Sequence, residues 1–123
     1  MPFDWSDYIS LAEQLKNQSS EACQRSAISR LYYGIFCSAR NFLETNELTY
    51  REGDIHSKVW NAFKNQGRQT HKAVAVAGMR LRDLRNAADY VDEINKLDEK
   101  LALAFLEANK LLLYLKQIQG HNT

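Results

Sequence analysis

The chain has 123 residues, enough for one domain that buries roughly two-thirds of its unfolded surface. With 45% hydrophobic and 25% charged residues it is composed like a globular domain, not a disordered one. Nothing approaches the roughly 18 uninterrupted apolar residues of a membrane span. The acidic, aromatic start "MPFDWSDY" has neither the basic n-region nor the apolar h-region of a signal peptide. One proline and five glycines leave long stretches free to be helical.

Five helical patterns follow in chain order, with no convincing strand and no internal repeat. In the first, Trp5, Tyr8, Ala12 and Leu15 recur at helical spacing behind Asp4 as N-cap. The second runs from about Ser20 to Asn46. Its apolar set, from Ile28 and Leu31 to Phe42 and Leu43, covers about half the circumference, wider than the stripe of a surface helix. This helix is expected at the centre. Opposite its apolar face lie Ser26, Arg30, Tyr33, Cys37 and Arg40, which suits a wet cleft or an interface, or else plain solvent. Cys23 and Cys37 sit on it about 21 Å apart, too far for a disulfide, which points to a reduced, cytoplasmic protein.

After a polar loop at 45–54, Asp54 reads as the N-cap of a third helix. There Ile55, Val59 and Phe63 face inward, and Gly67 ends the pattern. The fourth helix, from about Thr70 to Tyr90, places Val74, Ala77, Leu81, Leu84 and Ala88 on its buried stripe. The fifth carries Leu97, Leu101, Ala104, Ala108, Leu111, Leu115 and Ile118 on one stripe. It also carries Leu103, Phe105, Leu106 and Leu113 off it. A terminal helix apolar on nearly every side is either deep in the core or shared with a second subunit. The expectation is a single all-α domain, 1–123, built as an up-and-down bundle of about five helices.

Charge is uneven. Residues 64–85 hold Lys64, Arg68, Lys72, Arg80, Arg82 and Arg85 against Asp83 alone, while the whole chain is only +1. Such a local excess either holds a phosphate chain or forms a solvated face offset by acidic neighbours. On the fourth helix Arg85 falls only about 40° from Leu81, at the edge of the apolar face. Asp89 follows at i+4, within pairing reach. Arg85 then either fixes a seam between helices through that pair, or lines a crevice beside Gly78 where a missing side chain leaves room for a ligand. His56, His71 and His121 share no ligand spacing with one another or with the cysteines, so no metal site is expected. Gly67 and Gly78 are isolated, so there is no glycine-rich phosphate loop and no cofactor is implied.

"SAISRLYYGIFCSARNFL" (26–43), "DIHSKVWNAF" (54–63) and "LRNAADY" (84–90), in that order and at those distances, resemble the HEPN domain in its small, stand-alone prokaryotic branch. The similarity runs from about Tyr8 to Lys116. It implies a helical up-and-down bundle and a homodimer, commonly encoded beside a minimal nucleotidyltransferase as a toxin–antitoxin pair. Many HEPN proteins are metal-independent ribonucleases with an Arg-(four to six residues)-His motif near the dimer interface. There arginine stabilises developing phosphate charge, and histidine moves the proton for 2′-hydroxyl attack.

This chain departs from that motif. Beyond Arg85 the corresponding positions hold Tyr90, Val91 and Asp92, with no histidine. A phenol titrating near pH 10 is a poor base at neutral pH. Arg51 to His56 satisfies the bare spacing, but across a loop and a helix start. His56 matches a histidine of this branch at the start of the third helix, with a local hydrogen-bonding role there. Cys37 stands where relatives often carry histidine and reads as a small buried group.

Two readings follow. The first is an RNA-directed toxin with Arg85 and Tyr90 at the reaction centre, and Arg30, Tyr33, Arg82, Asp89 and His56 binding substrate. The second is a non-catalytic module that binds a nucleotide, or a nucleotidyltransferase partner, through the same cluster. A blander third is a helical interaction subunit held together through the fifth helix, with no ligand.

Overall fold

The computed structural model describes residues 2–45 and 54–121. They form α1 (Ser6–Leu15), α2 (Glu21–Thr45), α3 (Ile55–Lys64), α4 (Gln69–Tyr90) and α5 (Leu97–His121). Among the described residues there is no strand. The architecture is the expected all-α bundle. Most of the polar segment at 45–54, including Arg51, lies outside the described residues.

The helix ends are set by short polar side chains that satisfy orphan backbone groups. Ser20 Oγ accepts from the Cys23 N–H at 3.1 Å and opens α2. Asp54 Oδ1 accepts from the His56 and Ser57 N–H groups at 3.0 and 3.3 Å and opens α3. Asp4 works closer to home: its carboxylate accepts from the Ser6 N–H at 3.0 Å and from Ser6 Oγ at 2.7 Å. Trp5, one residue beyond the expected Asp4, therefore holds the N-cap place of α1. At the far end of α4, Arg25 of α2 donates to the carbonyls of Ala88, Val91 and Asp92 at 3.2, 2.6 and 2.8 Å. Its Nε is held by Glu21 at 3.0 Å. One arginine thus ties the end of α4 to the start of α2.

α2 packs against each of the other four helices, which accounts for its broad apolar face. Ile28, Leu31, Tyr32, Ile35 and Ala39 are buried in the core. Of the line opposite, Ser26 faces solvent, but the stretch from Arg30 to Arg40 is partly covered because α1 lies over it. A Cβ at Gly34 would stand 2.7 Å from Ile9 Cγ1 and 3.1 Å from the Trp5 carbonyl, so α1 sits this close only because Gly34 lacks one. Arg30 lies over the Tyr8 ring at 4.9 Å and Arg40 over Trp5 at 5.6 Å. Cys37 is buried, which pushes its thiol pKa up, and both cysteines are free.

On α3, Val59, Trp60 and Phe63 are buried, whereas Ile55 is exposed and does not turn inward as expected. Trp60 takes the deepest place, and its ring lies against Gly78 of α4. α5 buries Leu101, Ala104, Ala108, Leu111, Leu115 and Ile118 as the spacing predicts, and Phe105 besides. Leu103, Leu106 and Leu113 remain exposed. Between α4 and α5, buried Glu107 meets Arg80 at 3.4 Å and Lys110 at 3.9 Å. Among the described residues no helix is long and apolar enough to cross a membrane.

Candidate functional site

Where α2, α3 and α4 meet, the bundle gathers most of the expected site residues around two adjacent tyrosines. Tyr32 and Tyr33 differ by one residue on α2, so one points into the core and the other toward α1 and the surface. Tyr32 is fully buried and Tyr33 partly so. Above both lies the Arg85 guanidinium, 5.2 Å from the Tyr32 ring centre and 5.3 Å from that of Tyr33. Arg85 is only 6% exposed. Its carboxylate partner is Asp89, one turn on, but the separation of 3.7 Å exceeds hydrogen-bonding distance. The buried Nε of Arg85 has no hydrogen-bond partner among the described residues. Buried guanidinium groups are normally well partnered, so this one is a charge held in place with its donors unspent.

Asp89 is shared. Ser29 Oγ donates to its Oδ2 at 3.3 Å, and the same hydroxyl accepts from Arg30 at 3.4 Å. A chain of polar contacts therefore runs Arg30, Ser29, Asp89, Arg85 across the α2–α4 seam. The expected Arg85–Asp89 pair exists, as a loose one. Arg82 is held differently: it donates to Asp54 Oδ2 at 2.7 Å and to Ser57 Oγ at 3.0 Å at the start of α3. The arginine, with the Ser57 hydroxyl, holds the Asp54 carboxyl well below the usual carboxylate range. With Arg80 on Glu107, two of the three arginines meet a carboxylate from outside α4, and Arg85 meets one a turn on in its own helix. They do not form one free basic patch: Arg80 stays largely solvated beside Glu107, whereas Arg82 is anchored in an ion pair.

His56 enters from α3. Its backbone N–H uses the Asp54 cap, while its ring turns inward, stacked on Phe36 at 4.3 Å and beside Tyr32 at 5.5 Å. The imidazole is thus not a capping group. Its Nδ1 lies 2.7 Å from the Tyr32 hydroxyl, which also accepts from Trp60 Nε1 at 3.2 Å. Indole can only donate, and Nδ1 is the one acceptor the buried phenol reaches among the described residues, so the phenol hydrogen goes to Nδ1. The phenol keeps that hydrogen, since burial pushes its pKa up to about 12. Burial first, then the Arg85 and Arg82 charges, holds the His56 pKa below its ordinary value. The ring is therefore neutral near pH 7 and carries its hydrogen on Nε2. It offers the site a donor, not a base.

The crevice expected beside Gly78 is absent: a Cβ there would collide with the Trp60 ring, which occupies that space. Tyr90 is apart from the cluster. It ends α4 about 140° around the helix from Arg85 and is 75% exposed. Arg82 is held apart at the start of α3, while Arg30, Tyr33, Asp89 and His56 gather at Arg85, linked through Tyr32 and Ser29. Those two, with Trp60, are what sequence reasoning missed. The available signal was Tyr32 itself, because a core tyrosine needs a partner for its hydroxyl.

A separate cavity of about 390 Å³ lies between α2 and α5, lined by Ser38, Phe42, Leu112 and Lys116 among others, and none of the clustered residues borders it. Among the described residues, no three of His, Cys, Asp and Glu gather as a metal-ligating set. No family profile matches the chain, and no curated protein or solved structure shows significant similarity to it.

Proposed function

We propose that this chain is a HEPN-type protein that acts on RNA, as one component of a toxin–antitoxin pair with a minimal nucleotidyltransferase. What carries the proposal is Arg85: a buried guanidinium with an unpartnered Nε and a carboxylate neighbour outside hydrogen-bonding distance. A phosphate oxygen matches that unspent fork of donors better than the neighbours it has. The Nε2–H of His56 and the charge of Arg82 add to the same field. The resemblance in "SRLYYGIF", "DIHSKVW" and "LRNAADY" supplies RNA as the phosphate's source, and it implies a homodimer. Leu103, Leu106 and Leu113, exposed on one side of α5, suit that pairing.

One observation favours the second reading, a non-catalytic module for a nucleotide or a nucleotidyltransferase partner. With Nδ1 taken by Tyr32 and Nε2 carrying hydrogen, His56 has no nitrogen free to accept a 2′-hydroxyl proton, and Tyr90 is distant.

The test is cleavage of single-stranded RNA by the purified protein in EDTA, beside Arg85→Ala and Arg85→Lys. In the ribonuclease reading Arg85→Ala loses about 10²–10³ in rate, as when a preorganised donor is removed from an oxyanion. If wild type is inert but binds RNA or ATP through Arg85, the module reading holds. Should Arg85→Ala unfold and folded Arg85→Lys bind RNA like wild type, Arg85 is a seam residue and both readings fall.

A further inference from the structure

The other arginines that tie the bundle together are well satisfied. Arg25 makes four hydrogen bonds, and Arg82 spends both terminal nitrogens on a carboxylate and a hydroxyl, leaving only its buried Nε without a partner among the described residues. Arg30 is different. Its guanidinium stands over two rings, 4.9 Å from the Tyr8 centre and 5.3 Å from that of Tyr33. Among the described residues it makes no ion pair, and its one hydrogen bond is the 3.4 Å contact with Ser29 Oγ. Stacking fixes the plane of a guanidinium without using its N–H groups, so Arg30 is a partly exposed cation held in one orientation with most of its donors free.

Arg85 stands over the same Tyr33 ring at 5.3 Å. The two guanidinium carbons are therefore at most twice 5.3 Å, or 10.6 Å, apart. The series Tyr8, Arg30, Tyr33, Arg85, Tyr32 alternates ring and cation from α1 across α2 to α4, with the Asp89 carboxylate joined to Arg85 and, through Ser29, to Arg30. A lone phosphate occupies one such cation. A chain of phosphodiesters occupies both, and of the two outer rings the partly exposed Tyr8, not the buried Tyr32, is the one an unpaired base can reach.

We propose that Arg30 is a second phosphate-binding residue beside Arg85, so that this site takes a single strand with successive phosphates in preference to a mononucleotide or inorganic phosphate. The inference rests on the reading that Arg85 holds phosphate.

The probes are a single-stranded decauridylate, ATP and inorganic pyrophosphate, titrated into the full chain at several salt concentrations. Wild type is expected to bind the decamer more tightly than either small ligand. Arg30→Gln should weaken decamer binding about tenfold, and lower the slope of log K against log salt by about 0.7, one phosphate contact on a single strand. Arg30→Lys should keep that slope. In labelled wild-type protein the Arg30 Nε resonance should shift as the decamer is added, a readout that does not depend on any variant folding. An unchanged slope in Arg30→Gln, or an unmoved Arg30 resonance, overturns the role of Arg30 and leaves Arg85 standing. ATP or pyrophosphate binding as tightly as the decamer overturns the preference for a strand. Decamer binding that survives Arg85→Gln overturns the phosphate reading itself.

Discussion

Arg85 and His56 show how single residues acquire chemistry from neighbours far away in sequence. A guanidinium beside i+4 aspartate reads as a structural pair, yet Asp89 is shared with Ser29 and stands too far from Arg85 to satisfy it. His56 has the opposite character. It is well held, and its pKa is lowered by burial and by Arg85 and Arg82, with Asp54 opposing. His71 is lowered too, by burial and then by Arg68. A histidine with a lowered folded-state pKa binds fewer protons folded than unfolded. Stability is then complete above the unfolded value of about 6.5 and declines as pH falls through the folded value. The unfolding temperature is therefore expected to be lower at pH 5 than at pH 7.5. His56→Gln and His71→Gln should each flatten that dependence, as measured by circular dichroism melts. Identical pH slopes in wild type and the double variant would remove the two histidines as its cause. The Asp54 carboxyl, depressed by Arg82, matters only in a more acidic window.

At the scale of helices, glycine sets how closely α2 and α4 are approached. Gly34 admits α1, and Gly78 admits the Trp60 ring of α3, which in turn donates to the Tyr32 hydroxyl. The position that looked like room for a ligand is filled by this chain's own indole. Alanine is the better helix former by about 1 kcal/mol. Even so, Gly78→Ala should destabilise the protein by about 1–3 kcal/mol, because the Cβ displaces a rigid, fully buried ring. Urea denaturation checks the sign: a stabilised variant would mean that Trp60 moves freely. It should also loosen His56, since Trp60, Tyr32 and His56 form one chain of hydrogen bonds.

For the whole molecule, the question is which apolar surface remains after the bundle has formed. Leu103, Leu106 and Leu113 of α5 lie within about 80° of one another around the helix and are 43, 51 and 55% exposed. The off-stripe leucines of α5 thus divide from Phe105, which is buried and approached by Lys16 at 4.5 Å from its ring centre. If the proposed homodimer uses this face, light scattering at micromolar concentration gives twice the chain mass. Leu106→Lys then gives a monomer with an unchanged melting profile at low concentration. A monomeric wild type would remove the dimer from the proposal while leaving the Arg85 site intact.

By itself the sequence determined the all-α class, the five helices, the central place of α2 and nearly every core position of α4 and α5. Those features depend on spacing within ten or so residues, where the helical period of 3.6 acts directly on the apolar pattern. It also marked Arg85 as an arginine at a packing edge. Only tertiary structure decided what surrounds that arginine. Whether a polar face meets water or another helix depends on packing partners distant in the chain, so the line from Arg30 to Arg40 was covered by α1, and Gly78 by Trp60. Protonation was settled in the same way. The neutral ring of His56, with hydrogen on Nε2, follows from a buried phenol on α2 and an indole one turn along α3, brought together only when α3 docks.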